Sequence, residues 1–524
     1  MFAIVAVAVV AFVDVNVIPM DRERVEAHQT VLVRGDRIAA VGRSADVAVP
    51  PDATVIDGRG RFLLPGLVDS HTHINTDIPW APARDDFGDA PMYLAYGVTT
   101  VVNLSGSPTQ LDWRRRVATA ELIGPTIYTS GPFINEPRFR TPDEVRREVA
   151  RQAAAGYDLI KYHELVDTTI GLSRDAYRAL NEAAVQSGML VIGHAPNRLG
   201  LEALLDTRQS LAHVGNLSNI YFMPIGVHVG VAAASGIAVV LVLLTPLFSG
   251  RSRRLSAGAG LAAVIAVVSI GATLPGSPLG GSTLVRLIAT ASTVALIAIA
   301  AALLVRRSTA FLATAVAAAL LAAFWIPMMW RSSDAGIARL AARVHDAGIS
   351  VQSTLVVYET ATTAGRARLL ADPAIEFLHP DARRQWRSLP REGLPGNRLT
   401  AFNSRVIGAL HRAGVPIMAG TDAMGIELIP PGSSLHRELE LLAQSGLTTY
   451  EAIRAATVVP AAFLRKEREF GTVAAGRRAD LLLVDTNPFD RLSALRDPVG
   501  VMVRGRWFSR DDLRQRLTSL SSRF

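Results

Sequence analysis

Two histidines, His71 and His73, stand two residues apart at the end of the run Leu64-Pro65-Gly66-Leu67-Val68-Asp69-Ser70-His71-Thr72-His73. The run is apolar and has strand character. Alternate side chains of a strand leave on the same face, so both imidazoles point one way and can clamp a single metal ion between two nitrogens. The chain holds only 11 His, and a pair of them at the end of a buried-looking strand favours ligation over two solvated surface histidines. Cysteine is absent. That excludes disulfides and thiolate chemistry and leaves His, Asp, Glu and modified Lys as metal ligands.

The same stretch resembles the first metal-binding strand of the amidohydrolase superfamily, metal-dependent hydrolases built on a (β/α)8 barrel. The resemblance covers most of the chain apart from one insertion, and it implies a larger ligand set. Lys161, in YDLIKYHE, matches the family's carboxylated lysine. Of 54 Lys+Arg only Lys161 and Lys466 are lysines, and only a primary amine can take up CO2 as a bridging carbamate; a guanidinium cannot. His194 in LVIGHAP and His213 in SLAHVGN follow in the family's order, with Ala212 where relatives often carry Glu. Asp422, in AGTDAMG, matches the catalytic aspartate.

The implied centre places His71, His73 and Asp422 on one divalent ion and His194 and His213 on the other, bridged by the Lys161 carbamate, with Zn2+ or a similar borderline ion suited to these ligands. Its implied chemistry is hydrolysis of an amide-type C–N bond in a dipeptide-like or cyclic amide by a metal-activated hydroxide, Asp422 shuttling the proton. This is the imidazolonepropionase and prolidase-like branch. A lactonase or deaminase on the same scaffold, or a non-catalytic membrane-anchored ligand sensor, is the alternative. His163, two residues beyond Lys161, and His436, in PGSSLHRELELL, are substrate-binding candidates.

Such ligands need strands that end at one mouth. Apolar stretches at 97–104, 126–130, 157–162, 190–194, 210–214, 349–356 and 416–422 follow the first metal-binding strand and make eight, alternating with helical stretches as a parallel barrel requires. One of these, residues 141–155, opens on Thr141 with Glu144 three residues later, a capping box. In PGSSLHRELELL, Ser433 or Ser434 would cap the helix that follows. Before the barrel, short strands and turns fill residues 13–58, with a hairpin turn at Gly35-Asp36. The segments at 471–485 and 499–508 have the same texture, so the two chain ends should pair in a small β-sandwich. Residues 2–12 read either as a first strand or as the apolar core of a signal peptide lacking its charged start.

The chain of 524 residues is 49% hydrophobic with a mean hydropathy of +0.27, high for a soluble enzyme. The reason is an insertion after the sixth barrel strand. Four apolar runs, 225–248, 256–274, 284–305 and 311–330, have bilayer-spanning length and central turns free of charge. Arg251, Arg253 and Arg254 join the first two runs and Arg306 and Arg307 the last two, which by the positive-inside rule puts those loops in the cytoplasm and the barrel outside it. Tyr221, Phe222, Trp325 and Trp330 would anchor at the outer interface. The insertion lies on the catalytic face of the barrel, so the mouth would sit against the membrane surface.

The sequence therefore predicts an α/β protein in three units: residues 1–58 and 469–524 as the composite β-sandwich, 59–218 and 332–468 as the metal-dependent hydrolase barrel, and 219–331 as a bundle of about four transmembrane helices. It would be an integral protein of a bacterial-type inner membrane, with a small-molecule substrate and the lipid bilayer as partners and homo-oligomerisation left open. The net charge of +8 comes from scattered arginines without interleaved aromatics, which argues against nucleic-acid binding.

Overall fold

A computed structural model of the chain describes residues 9–74, 87–135, 137–164, 171–222, 225–273, 282–394, 396 and 398–521. The strand or signal-peptide question at residues 2–12 falls partly outside these. Residues 9–12 open the strand β1 (Val9–Val17).

The chain ends do pair. β1, β2 (Glu26–Arg34), β3 (Arg37–Arg43), β4 (Thr54–Asp57) and β5 (Phe62–Pro65) come from the N-terminal part, with Gly35-Asp36 turning β2 into β3. The later strands of this sheet, β14 (Leu481–Val484), β15 (Gly500–Val503) and β16 (Arg506–Ser509), join through an antiparallel β5–β14 pairing. The expected sandwich is, in its hydrogen bonding, one eight-stranded sheet in the order β16-β15-β14-β5-β1-β2-β3, with β4 beside β1.

The central strands are β6 (Leu67–Thr72), β7 (Val98–Asn103), β8 (Thr126–Thr129), β9 (Leu159–Tyr162), β10 (Leu190–Gly193), β11 (Ser210–Leu211), β12 (Val351–Gln352) and β13 (Ile417–Met418). They form two parallel sheets, β6-β7-β8 and β9 to β13 in sequence order. Parallel bridges Ser130–Leu159 and Thr72–Ala423 join the two sheets at both seams. The hydrogen-bonded path thus runs through all eight strands and returns to the first. All eight expected strands are present, and the last three are cut to two residues each. For two of them the cause is local: His213 and Thr354, two residues beyond β11 and β12, hold left-handed backbone with φ of +64° and +42°, which ends an extended ladder; Asp422, four residues beyond β13, is left-handed too, at φ +61°.

Between strands, the helix Pro142–Ala154 begins as its sequence predicts, Thr141 accepting from the Glu144 amide and Glu144 returning the contact. The helix Ser433–Gln444 does not. Its cap is Gly432, at φ +75°, with no side-chain cap. An added Cβ there would lie 2.5 Å from the Met92 carbonyl oxygen, so close backbone approach sets this terminus.

The insertion is helical throughout its described part. Among the described residues three helices, Gly250–Ala272, Thr283–Val305 and Phe311–Arg331, are long and apolar enough to cross a membrane, where four were expected. The first run forms the helix Ile225–Leu244, whose described apolar portion, Val231–Leu247, is shorter. The bundle is packed on alanine, with Ala238, Ala259, Ala263, Ala266, Ala289 and Ala317 in its interior, while Ile237, Leu261, Val268, Leu287 and Leu312 face outward and are more than half exposed. Val242, Ile270, Leu296, Leu321 and Met329 share that interior. The indoles of Trp325 and Trp330 differ from interfacial anchors in donating within the bundle, to Ser235 Oγ at 2.8 Å and Thr290 Oγ1 at 3.1 Å.

Candidate metal centre and active site

The ends of β6, β9, β10, β11 and β13 deliver His71, His73, Lys161, His194, His213 and Asp422 to one place. His71, His213 and Asp422 each offer a ligand atom within 4.8 Å of the others. Asp422 Oδ1 lies 2.8 Å from His73 Nε2 and 3.3 Å from His71 Nε2, and Oδ2 lies 4.0 Å from His213 Nε2. The His213 ring is 4.4 Å from that of His71 and 5.1 Å from that of His194, so it bridges the two halves of the cluster. A cavity of about 610 Å3 opens onto it, lined among others by His73, Phe133, Lys161, His163, His194 and Tyr358. That is room for a small substrate.

Both ring nitrogens of His71 and Nζ of Lys161 are buried and have no hydrogen-bond partner. An unpaired buried polar group costs about 1–3 kcal/mol, and His71 Nε2, which faces the Asp422 carboxylate, together with Lys161 belongs to a donor set that a divalent cation would satisfy. The residues present therefore fit the group that the ligand set implies. The other imidazoles are oriented for it. His194 Nδ1 donates to the Glu164 carbonyl at 2.8 Å, and His213 Nδ1 lies 2.9 Å from Thr354 Oγ1. Each leaves Nε2 for the cluster, the outer contact fixing which ring nitrogen is free.

Burial sets the protonation states. It holds the His71 and His194 imidazoles well below the usual range, helped by the charge of Lys161. It lowers His213 to about 4 and the Lys161 amine to about 7, Asp422 opposing the latter. Burial disfavours ionised Asp422 too, but His213, His73 and Lys161 outweigh it and keep the carboxyl below its ordinary value. Neutral imidazoles beside an ionised carboxylate are what metal ligation needs.

The two substrate candidates separate. His163 lines the cavity, its ring stacked on Phe133 at 4.5 Å. His436 lies outside the cavity lining, buried with its Nε2 donating to the Tyr96 carbonyl at 2.9 Å. The helix Ser433–Gln444 turns His436 toward Tyr96. Burial, then Arg496, lowers its imidazole to about 3, so the folded chain rejects a proton that the unfolded chain accepts below pH 6.5. Its contribution is complete above pH 6.5 and is lost as pH falls toward 3. By pH 5 the loss amounts to about 2 kcal/mol. His436→Gln, which keeps a donor for Tyr96, should show a shallower fall of thermal midpoint between pH 7 and 5 than wild type; identical slopes would reject the assignment.

Several side chains that hold this geometry carry no signal in the sequence. Asp69 accepts from Thr421 Oγ1 at 2.6 Å and from the amides of Thr421 and His71 at 3.1 and 3.2 Å, tying the His71 strand to the Asp422 turn. An added Cβ on Gly420 would meet His71 Cβ at 2.6 Å, so the two segments touch only because that position is glycine. Glu438, fully buried, accepts from Ser353 Oγ and from the amides of Leu355 at 2.9 Å and Val356 at 2.8 Å. It thereby fixes the turn carrying Thr354, the partner of His213, and Tyr358, whose hydroxyl accepts from the Gly215 amide at 2.8 Å. Glu438 and Glu440 both stand in HRELELL, and their spacing alone does not tell the buried acid from the partly exposed one. Glu438→Gln removes one acceptor oxygen from a buried amide and should cost about 2 kcal/mol of stability, read as a fall in the urea midpoint. A shift within error would show that the turn is held elsewhere.

Comparison with known proteins bears on the geometry. Residues 393–508, which include Asp422 and Glu438, match the sequence model of the amidohydrolase family. The adenine deaminase of Rubrobacter xylanophilus is 31% identical over 173 residues, 32% of this chain and 28% of that protein. The chain thus matches under a third of that relative's length. Among solved structures, bottromycin amidohydrolase superposes with a TM-score of 0.60 at 19% identity, covering 98% of this chain and 92% of its own. A Xaa-Pro dipeptidase with methionine bound in its active site gives 0.57 at 16% identity, covering 96% and 100%. These solved structures share the α/β fold of this chain.

Proposed function

We propose that the protein is a membrane-anchored, metal-dependent amidohydrolase acting on a dipeptide-like or cyclic amide, its eight central strands forming a (β/α)8 barrel. The observation that carries this is the convergence of His71, His73, Lys161, His194, His213 and Asp422 at one cavity, with buried ligand atoms that have no protein partner. In this reading His71, His73 and Asp422 would hold one divalent ion and His194 and His213 a second, with Lys161, as a carbamate, a ligand shared by both. Its buried amine, brought down to about 7, is in good part neutral near physiological pH, the form that reacts with CO2. Bound there, Zn2+ or a similar ion supplies Lewis acidity and lowers the pKa of water.

The protein groups do the rest. Asp422, ionised and 2.8 Å from His73, accepts the proton of the attacking water and returns it to the leaving nitrogen as the C–N bond breaks. His163, Phe133 and Tyr358 wall the cavity and orient the substrate. The apolar helices anchor the chain; with the Arg251–Arg254 and Arg306–Arg307 loops in the cytoplasm and the whole catalytic unit on the other side, this reading requires the 20-residue helix Ile225–Leu244 to cross along with the three longer ones. Deamination is the second reading, favoured by the adenine deaminase likeness; it is the same attack of water at a C–N carbon.

The test is the purified full chain, assayed for metal and on a panel of dipeptides, cyclic amides and adenine. Turnover of a panel member, abolished by a chelator and restored by Zn2+, is expected. Stoichiometric metal with no turnover on any member would favour a ligand sensor.

A further inference from the structure

The cavity is built partly from the insertion's own connection. Ser218 and Asn219 line it, and both belong to the π-helical turn Ser218–Phe222; Asn219 stands six residues before Ile225, where the first apolar helix begins. Six residues reach at most about 20 Å even when fully extended, so the cavity wall and the apolar bundle are close neighbours. The returning connection is fastened to the same rim. The Arg331 guanidinium lies over the Tyr221 ring at 5.3 Å and reaches the Tyr221 carbonyl at 3.4 Å. Phe222 packs edge-on against Phe402 at 5.0 Å, and Arg405, one turn further along that helix, pairs with Asp334. The same helix, Arg398–Arg412, contributes Leu399 to the cavity wall. Both chain crossings into the bundle therefore start at the mouth of the site, and the bundle beyond them presents Ile237, Leu241, Leu287 and Leu312 outward.

A tether could attach at any surface loop. Here the anchoring element supplies polar cavity wall at one end and lipid-facing apolar surface a few turns on, which matches a ligand with a polar head and an apolar tail. We propose that the substrate is an amphiphilic amide whose head enters the cavity past Ser218 and Asn219 while its hydrocarbon chain stays along the bundle. This rests on the C–N hydrolase reading: water adds to the amide carbonyl, the C–N bond breaks, and the proton passes to the leaving nitrogen, releasing a carboxylate and an amine.

The test uses the full chain in phosphatidylcholine nanodiscs and N-acyl dipeptide amides that differ only in an acetyl, octanoyl or dodecanoyl group, with released amine as the readout. From acetyl to dodecanoyl, kcat/KM should rise by about tenfold or more as methylenes gain apolar contact. Equal values would overturn the proposal and reduce the bundle to a tether, leaving the hydrolase reading intact. A second measurement does not depend on turnover: a dodecanoyl amide with a diazirine at the chain end is photolysed in the same nanodiscs and the labelled peptides are mapped. Labelling within 225–247 or 311–331 that excess octanoyl amide displaces supports the placement, even if no amide is turned over and the hydrolase reading fails. Bundle labelling that is not displaced, or displaced labelling confined to the strand core, overturns it.

Discussion

Asp422→Asn should lower kcat by about 10^2- to 10^4-fold, the usual range for loss of a general acid–base group, with a smaller change in KM. Asparagine is the informative substitution. Asp422 sits at φ +61°, a conformation that Asn tolerates better than Ala, so the backbone turn survives while the proton acceptor is lost. The amide also binds a cation more weakly, so the assay is run at saturating Zn2+. Activity within tenfold of wild type under those conditions would remove Asp422 from the proton path.

Lys161→Met should act in opposite directions on activity and stability. Without the amine no carbamate can bridge two ions, and metal content should fall from two per chain to one or fewer, with turnover reduced by about 10^3-fold or more. Meanwhile the metal-free variant should be more stable than metal-free wild type by on the order of 1–3 kcal/mol, because Nζ is buried without a partner and an apolar side chain of similar length removes that cost. Elemental analysis and chelator-treated thermal melts read the two effects. Two ions retained in the variant would exclude the bridging role, and a lower midpoint of the metal-free variant would show that the amine is satisfied in the fold.

The contrast between these two residues and Glu438 separates what a linear reading reaches from what it does not. Lys161 is legible because the chain is otherwise almost free of lysine, and His71 and His73 because the two-residue strand period puts them on one face. The eight strands were legible as apolar runs, although the lengths of the last three were not. Two of the early ends follow from left-handed turns at His213 and Thr354, which no apolar pattern records. Trp325 and Trp330 show the same limit. An aromatic near the end of an apolar run suits an interfacial anchor equally well until a packed Ser235 or Thr290 offers its indole an acceptor.

By itself the sequence determined which atoms this protein can offer a cation, the order in which the strands deliver them, and that a lipid-compatible segment interrupts the series, since side-chain type and local period are properties of the chain. Only the tertiary structure decided which groups hold those ligands in place and where the insertion meets the cavity. Asp69 and Thr421 are 352 positions apart and Thr354 and His213 are 141. The first contact exists only once β6 and β13 close against each other and the second only once β12 pairs with β11, and hydrogen bonds between residues so distant leave no local period to read.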